Sequence, residues 1–554
     1  MLRKLSLFIF FLLFISNMAL ANNVTVTNVA LQNLNSTNGT IEVKFDLNWE
    51  NYYSGTDGNS QPYFDAAWVF VKIYRSDTGV WDHAKLISGG TVGDYSATTK
   101  LGITSDGVGA FCSPGSNQTL IWNYASVPVS MTIASPCVVT YNSHNLAANA
   151  EVVFSTNGAL PTGITAGTTY YVKSPAANTF NISATPGGAA INTSGSQSGQ
   201  HRMQASSLMF PSAVQARVFA IEMAYIPQGS FSLGSGGSEI SAFYLYPTTT
   251  NTYTVSSENA ITVGTTNGNL YYPNGSGSPG DRAGPLPAAF PKGYNGFYIM
   301  KYEISQGQYA DFLNTLTSTQ ASNRYPNISS YRHTISGSYQ NYAASRPHRA
   351  CNWISWADVA AYADWAGLRP FTELEFEKVC RGGGIAAVAN EYVWGTIDAP
   401  VAATTISGTE NGTETITNAG ANCAFNNTTF TGGDGGTGPL RCGIFATSSS
   451  TRVTSGAAYY GVMDLAGSLW ERVVSVGSSA GRAFTGLNGD GFLDSSGNAN
   501  VSNWPGTNAS GTGIRGGTWD FGATGARTSD RNYASGNDSP RYQYYGGRAV
   551  RTAQ

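Results

Sequence analysis

Two periodicities divide the chain. From Asn23 to about residue 222, apolar positions recur every second residue or in short unbroken runs. Asn23-Val-Thr-Val-Thr-Asn-Val-Ala-Leu and Ile41-Glu-Val-Lys-Phe-Asp-Leu-Asn-Trp alternate polar and apolar residues, which predicts strands with one buried face. Ala67-Trp-Val-Phe-Val-Lys-Ile-Tyr and Ala216-Arg-Val-Phe-Ala-Ile-Glu read instead as buried strands. Turns rich in Gly, Asn, Ser and Asp separate these runs, and the pattern predicts an all-β sandwich domain over 22–222. Residues 131–212 break it. The flanking strands Leu120-Ile-Trp-Asn-Tyr and Val214-Gln-Ala-Arg-Val-Phe would join if that stretch were absent, so it reads as an inserted β-module. A long decorated loop of the sandwich is the other reading.

From residue 223 onward, helical spacing enters. Ser305 and Gln308 form a capping box that satisfies the free amides of a first turn, and Tyr309, Phe312, Leu313 and Leu316 then share one face. Ser355 caps a second helix that runs through Tyr362 and stops near Gly367. Thr372 and Glu375 make another capping box, opening a helix that buries Phe376 and Val379. Residues 384–554 are rich in Gly, Thr, Asn and Ser with few periodic runs. The fold class predicted is α+β: a mixed C-terminal domain, 223–554, after the N-terminal sandwich.

Composition narrows the setting. Arg3 and Lys4, the apolar run Leu5 to Ile15 and Ala19-Leu20-Ala21 make a secretory signal over residues 1–21. That run is too short to span a bilayer, and no later segment approaches the roughly 20 apolar residues that spanning needs. The expected product is secreted, surface-displayed or periplasmic, and is not membrane-spanning. Charged residues are 11% of the chain, against about 25% in an average globular protein. A net charge of −3 without a Lys/Arg cluster leaves no nucleic-acid footprint. In an oxidising compartment, the six cysteines allow up to three disulfides. Cys423 with Cys442 is the preferred pair, and Cys112 with Cys137 could flank a common strand pair. No Cys-x-x-Cys or Cys/His cluster marks a metal site.

A series of landmarks runs in fixed order through the second half. They are Met223-Ala-Tyr-Ile-Pro-Gln-Gly-Ser-Phe, Tyr302-Glu-Ile-Ser-Gln-Gly-Gln-Tyr, Ile354-Ser-Trp-Ala-Asp with Arg369-Pro-Phe-Thr-Glu-Leu-Glu-Phe-Glu, Tyr392-Val-Trp-Gly, Gly461-Val-Met-Asp-Leu-Ala-Gly-Ser-Leu-Trp-Glu, Arg515-Gly-Gly-Thr-Trp and Gly546-Gly-Arg. This order resembles the formylglycine-generating-enzyme (sulfatase-modifying-factor) family over about 330 residues. The resemblance implies a C-type-lectin-like fold. It does not imply an enzyme, because one fold hosts many functions. The family's oxidase chemistry uses two cysteines after the Arg-Gly-Gly-x-Trp motif to bind copper, a metal whose reduced form selects thiolates. The matching positions are Phe521 and Ala526, and no cysteine follows Cys442, so no copper is expected. The resemblance further implies a structural calcium at Asp464 and Glu471 with carbonyls of Gly467 and Leu469, and a second ion at Asn422 and Asp434. Hard oxygen donors around a glycine turn suit calcium. An ordinary acidic turn with Trp470 in the core is the competing reading.

Other features carry less. Trp353, Trp356 and Trp365 read as core. The five histidines are scattered, and Gly477-Ser-Ser-Ala-Gly lacks the strand–turn–helix setting of a nucleophile elbow. The last 35 residues alternate scaffold signals with Asp520, Phe521, Thr524, Tyr533, Tyr542, Tyr544 and Tyr545. That vocabulary is the one antibody paratopes use, and it resembles the tail of lectin-fold variable proteins diversified by retroelements. The expected function is a ligand-binding protein presenting this tail to an unknown protein or glycan at the cell exterior. Trp519, Arg527 and Arg548 should be buried beneath it. The alternatives are a formylglycine-generating oxidase acting on sulfatase cysteines and a structural component of a secretion or motility machine.

Overall fold

The computed structural model describes residues 24–76, 79–142, 144–205, 208 and 214–554. The signal over 1–21 lies outside them. The architecture is mostly β, with an N-terminal sandwich region and a C-terminal α+β domain that has few and short helices.

The two unbroken apolar runs explain how these parts join. Strand Pro62–Arg75 pairs antiparallel with Val214–Ile226 along twelve positions, from Phe64↔Tyr225 to Arg75↔Val214. Val214–Ile226 then pairs with Phe297–Met300, which pairs with Val550–Thr552 near the C-terminus. The resulting sheet is covered on both faces, so its central strands cannot alternate polar and apolar residues. One face carries Ala67, Val69, Val71, Ile73 and Val218, and packs on Ile41, Val43, Phe45 and Leu47 of the strand Thr40–Asn48. The other carries Ala66, Trp68, Phe70, Phe219, Ile221 and Met223, and packs on helices of the C-terminal half. Strand Thr40–Asn48 reads buried at every second residue because its outer face meets solvent.

Between the strands Gly115–Asn123 and Val214–Ile226 the chain makes a closed barrel of six strands, from Ser126–Met131 to His201–Gln204. It has its own core, with Val129, Val139, Phe154, Val172, Phe180, Ile182 and Met203.

Helices α1 (Gln306–Leu313), α3 (Trp356–Trp365) and α4 (Glu373–Arg381) start at Ser305, Ser355 and Thr372, respectively, with the reciprocal side-chain bonds of a capping box. Helix α2 (Ser318–Arg324) was not expected, although Thr317 and Gln320 form the same box. A four-residue α5 (Ser479–Arg482) follows. Trp356 and Trp365 are core, whereas Trp353 is only half-buried, with a left-handed backbone (φ 59°) and its indole N–H donating to the Ser330 carbonyl.

The disulfide expectation fails. All six cysteines are free and buried. Cys112 lies in the sandwich core and Cys137 in the barrel core. The Cys423 thiol faces the Ala466 carbonyl at 3.4 Å, whereas that of Cys442 faces the Glu303 carbonyl at 3.6 Å. Each pair is divided between separate packing clusters, so closeness in sequence does not bring the sulfurs together.

Candidate functional site

The site is built on a small sheet. Strand Trp470–Val474 pairs antiparallel with Thr512–Arg515 and parallel with Tyr545–Gly546. The Arg-Gly-Gly-Thr-Trp motif leaves this sheet in a turn with φ of 88° at Gly516 and 78° at Gly517, a conformation open to glycine at little cost. A Cβ at Gly516 would lie 2.2 Å from the Leu465 carbonyl oxygen, so the motif requires glycine there. Beyond the turn, the Trp519 amide and the Thr518 hydroxyl both donate to the Ser468 carbonyl, and the Trp519 indole N–H reaches the Gln543 carbonyl. The motif thereby clamps the Asp464–Trp470 turn against the tail.

Beneath the sheet, α4 presents three buried glutamates, each matched to arginine. Arg369 pairs with Glu375 at 2.6 Å, Arg515 with Glu377 at 3.0 Å, and Arg531 with Glu373 at 2.7 Å. This accounts for Glu-Leu-Glu-Phe-Glu beside Arg-Gly-Gly. A buried carboxylate is tolerated when it is paired and hydrogen-bonded.

The tail positions fall on both sides of this frame. Phe521 and Tyr533 pack half-buried on Trp470, with ring centroids 5.2 and 5.9 Å from it. Tyr542 is exposed and stacks on half-buried Tyr544 at 5.3 Å. Asp520 is partly exposed, with burial raising its pKa, and Thr524 is exposed. Tyr545 corrects the expectation of an exposed face, being only 2% accessible. Its position at the start of a paired strand turns the ring inward between Trp470 and Ile514. There its hydroxyl donates to Asp538 at 2.7 Å and the Arg472 guanidinium lies 3.9 Å above the ring. Trp519 and Arg548 are buried as anticipated, but Arg527 is half-exposed above the Tyr392 ring. Ala526 is buried in the core beside Val393, whose amide its carbonyl accepts. The positions that match the family's cysteine pair thus hold an aromatic ring and a buried methyl group.

A second cluster lies at the Asp464–Glu471 turn. Ligand atoms of Glu303, Cys442 and Asp464 lie within 4.8 Å of one another, all buried. Glu303 and Cys442 were not anticipated, although Glu303 sits inside the Tyr-Glu-Ile-Ser landmark. Glu303 accepts the Leu469 amide and Asp464 the Gly443 amide. One Glu471 oxygen accepts from both Nε and Nη2 of Arg548, at 2.6 and 2.5 Å. The remaining oxygens of Glu303 and Glu471 are buried without a partner. Burial raises the pKa of all three carboxyls, and repulsion adds to it at Glu303, from Glu471 and Asp464, and at Glu471, from Asp464. Three carboxylates against one guanidinium fit a divalent cation by charge. The Cys442 thiol departs from the all-oxygen shell that calcium takes. The carbonyls of Gly467 and Leu469 belong to the same turn, whose φ is left-handed at Asp464, Gly467 and Ser468.

Asn422 and Asp434 have separate partners. Asn422 accepts the Val401 amide and donates to the Val453 carbonyl. Asp434 is held by Arg346 at 2.7 Å and Arg349 at 2.9 Å, which keep its carboxyl well below the usual range.

Comparison with known proteins agrees with this frame. The model of the sulfatase-modifying factor enzyme 1-like domain matches residues 214–553. Over 130 residues the chain is 32% identical to the formylglycine-generating enzyme of Thermomonospora curvata, a stretch covering 23% of this chain and 33% of that protein. The chain therefore matches about a third of that relative's length. With more than half of its residues covered by the family model, this chain belongs to the sulfatase-modifying factor enzyme 1-like domain family.

Proposed function

We propose that this chain is a non-catalytic member of its family that binds a protein or glycan ligand at the cell exterior through the aromatic tail, on a C-type-lectin-like scaffold. The observation that carries the reading is the occupancy of the two cysteine positions. Phe521 joins Trp470, Tyr533 and Tyr544 in one cluster, and Ala526 is sealed in the core. A surface of Tyr542, Tyr544, Tyr533 and Phe521 with Asp520 and Thr524 at its edge offers large amphipathic area on a rigid base, and interface hot spots favour tyrosine and tryptophan. Tyr545 is then a support for the surface. Likeness to retroelement-diversified variable proteins is part of this proposal, and so is secretion.

The test is to incubate the purified chain with copper, oxygen and a cysteine-containing sulfatase peptide. No oxygen consumption above that of a Phe521→Ala control is expected. The relative from Thermomonospora curvata favours a second reading, an oxidase acting on sulfatase cysteines. Copper-dependent turnover would establish it and remove the first.

In the same proposal, Asp464, Glu303 and the free oxygen of Glu471 hold a divalent cation, calcium by family resemblance. When bound, the ion would neutralise the excess charge and brace the turn beneath Trp470.

A further inference from the structure

Two cavities adjoin where the barrel, the sandwich edge and the loop 487–502 meet. One, of about 450 Å³, is bounded by Lys85, Asp106, Arg202, Asn488, Asp490 and Phe492. The other, of about 500 Å³, opens on the far side of Phe492 and Gln200. Ligand sites commonly occupy clefts of this size between domains. The tail surface plays no part here, so the inference is independent of the function proposed above.

The charges in the smaller cleft are unevenly satisfied. Asp106 is bonded to Arg551, and Asp490 accepts the Asn157 side-chain amide and the Phe492 backbone amide. The two cations hydrogen-bond only neutral groups, while Asp82 and Asp490 attract Arg202, and Asp106 attracts Lys85, without direct contact. Lys85 donates to the Asp106 backbone carbonyl, and Arg202 to the Ser126 hydroxyl and carbonyl. Neither makes an ion pair among the described residues. They are near enough that the Arg202 charge adds to burial in lowering the Lys85 pKa. Around them the wall offers amides and hydroxyls of Asn157, Gln200, Asn488, Asn500 and Ser502, interspersed with apolar Val108, Leu487 and Val501. The cleft's aromatic ring, Phe492, has the Arg202 guanidinium 5.9 Å above it, which leaves little room for a flat base to stack.

We propose that this cleft binds an acidic sugar, with its carboxylate between Lys85 and Arg202 and its hydroxyls on the surrounding amides. A carboxylate would give the two cations a directly hydrogen-bonded anion, which neither has among the described residues. The hydroxyls of a sugar match the donors and acceptors on this wall, and its C–H faces match the apolar side chains between them.

The experiment is calorimetric titration and thermal unfolding of the mature chain with D-glucuronate and D-galacturonate, with D-glucose as the neutral control. We expect saturable binding of at least one uronate, a matching rise in melting temperature, and glucose weaker by about tenfold or more, since hydrogen bonds to charged groups are the stronger ones. Lys85→Gln and Arg202→Gln should each weaken uronate binding by about tenfold. Ser502→Asp, at an exposed position on the rim, should weaken it without disturbing the fold. Tyr542→Ala should leave it unchanged, which separates this site from the tail. No saturable uronate binding at millimolar concentration, equal binding of glucose, or unaltered affinity in both Lys85→Gln and Ser502→Asp would overturn the proposal.

Discussion

Replacing Glu222 with Gln should flatten the pH dependence of stability between about pH 5 and 8. Asp65 and Glu222 on adjacent strands of the shared sheet meet Lys301, which follows the strand Phe297–Met300, so that one ammonium serves two carboxylates. Lys301 donates to Asp65 at 2.7 Å, to Glu222 at 2.6 Å and to the Asn51 carbonyl at 2.9 Å. One oxygen of each carboxylate has no partner. Burial outweighs the ammonium's attraction, so Asp65 is pushed up to about 6 and Glu222 to about 8. One cation cannot neutralise two buried anions, so the folded triad keeps one proton, placed here on Glu222. Because its folded pKa is raised, the folded state binds more protons than the unfolded state from about pH 4.5 to 8. The triad's contribution is therefore complete at low pH and is lost as pH rises through that window, at about 1.4 kcal/mol per pH unit for one proton. Across the window the loss is on the order of a few kcal/mol. Glu222→Gln removes this proton linkage while keeping an oxygen for Lys301. Its stability should match the wild type near pH 5 and exceed it by roughly 2–4 kcal/mol near pH 8. Lys301→Met should instead cost about 3–5 kcal/mol at neutral pH by leaving both acids uncompensated. Urea unfolding at half-unit pH steps measures both. Parallel pH profiles for wild type and Glu222→Gln would refute the reasoning.

Three further outcomes follow from the same physics. Trp519→Ala should destabilise the chain by about 3–5 kcal/mol, whereas Tyr542→Ala should change stability by no more than about 0.5 kcal/mol; comparable losses in thermal unfolding would contradict the division of the tail into frame and surface. If a cation sits at Asp464, Glu303 and Glu471, chelation should lower the melting temperature more at pH 8 than at pH 5, because carboxyls with raised pKa hold protons in place of metal at low pH; no shift at either pH, with no metal by elemental analysis, would sink the site. All six cysteines should resist a thiol reagent in the native chain and react once it is unfolded, since all are buried and burial raises thiols such as Cys112 and Cys351; fewer than six reactive thiols after unfolding would mean that a disulfide forms.

The legible parts of this fold are those where one residue type has one physical use. Ser305, Ser355 and Thr372 begin helices as expected, because a hydroxyl before a Gln, Asp or Glu three residues on satisfies amides that nothing else reaches. The same chemistry at Thr317 and Gln320 went unread. Helix α2, Ser-Thr-Gln-Ala-Ser-Asn-Arg, buries only Ala321 and Arg324, so it has no apolar stripe to confirm its cap. Nearly unbroken apolar runs correctly marked Pro62–Arg75 and Val214–Ile226 as buried strands. Pattern alone could not tell that one sheet serves two cores, because that depends on which layers arrive on each face.

The site was harder to read for a different reason. Asp464 and Glu471 lie within one motif, but Arg548, the partner of Glu471, is 77 residues away, and Glu303 and Cys442, which meet Asp464, lie on other elements. Nothing local marks that Glu303 and Cys442 will share the buried space of that motif. Tyr545 shows the limit most clearly. Tyr542, Tyr544 and Tyr545 are alike in composition and neighbours in sequence. A two-residue strand, Tyr545–Gly546, turns one ring inward under the Arg472 guanidinium while its neighbours stay at the surface. A tail rich in tyrosine predicts a contact surface; only backbone pairing decides which rings belong to the surface and which hold it up. Exposed surface and its support are thus built here from the same residue type, and substitutions within the tail should separate them by their effect on stability.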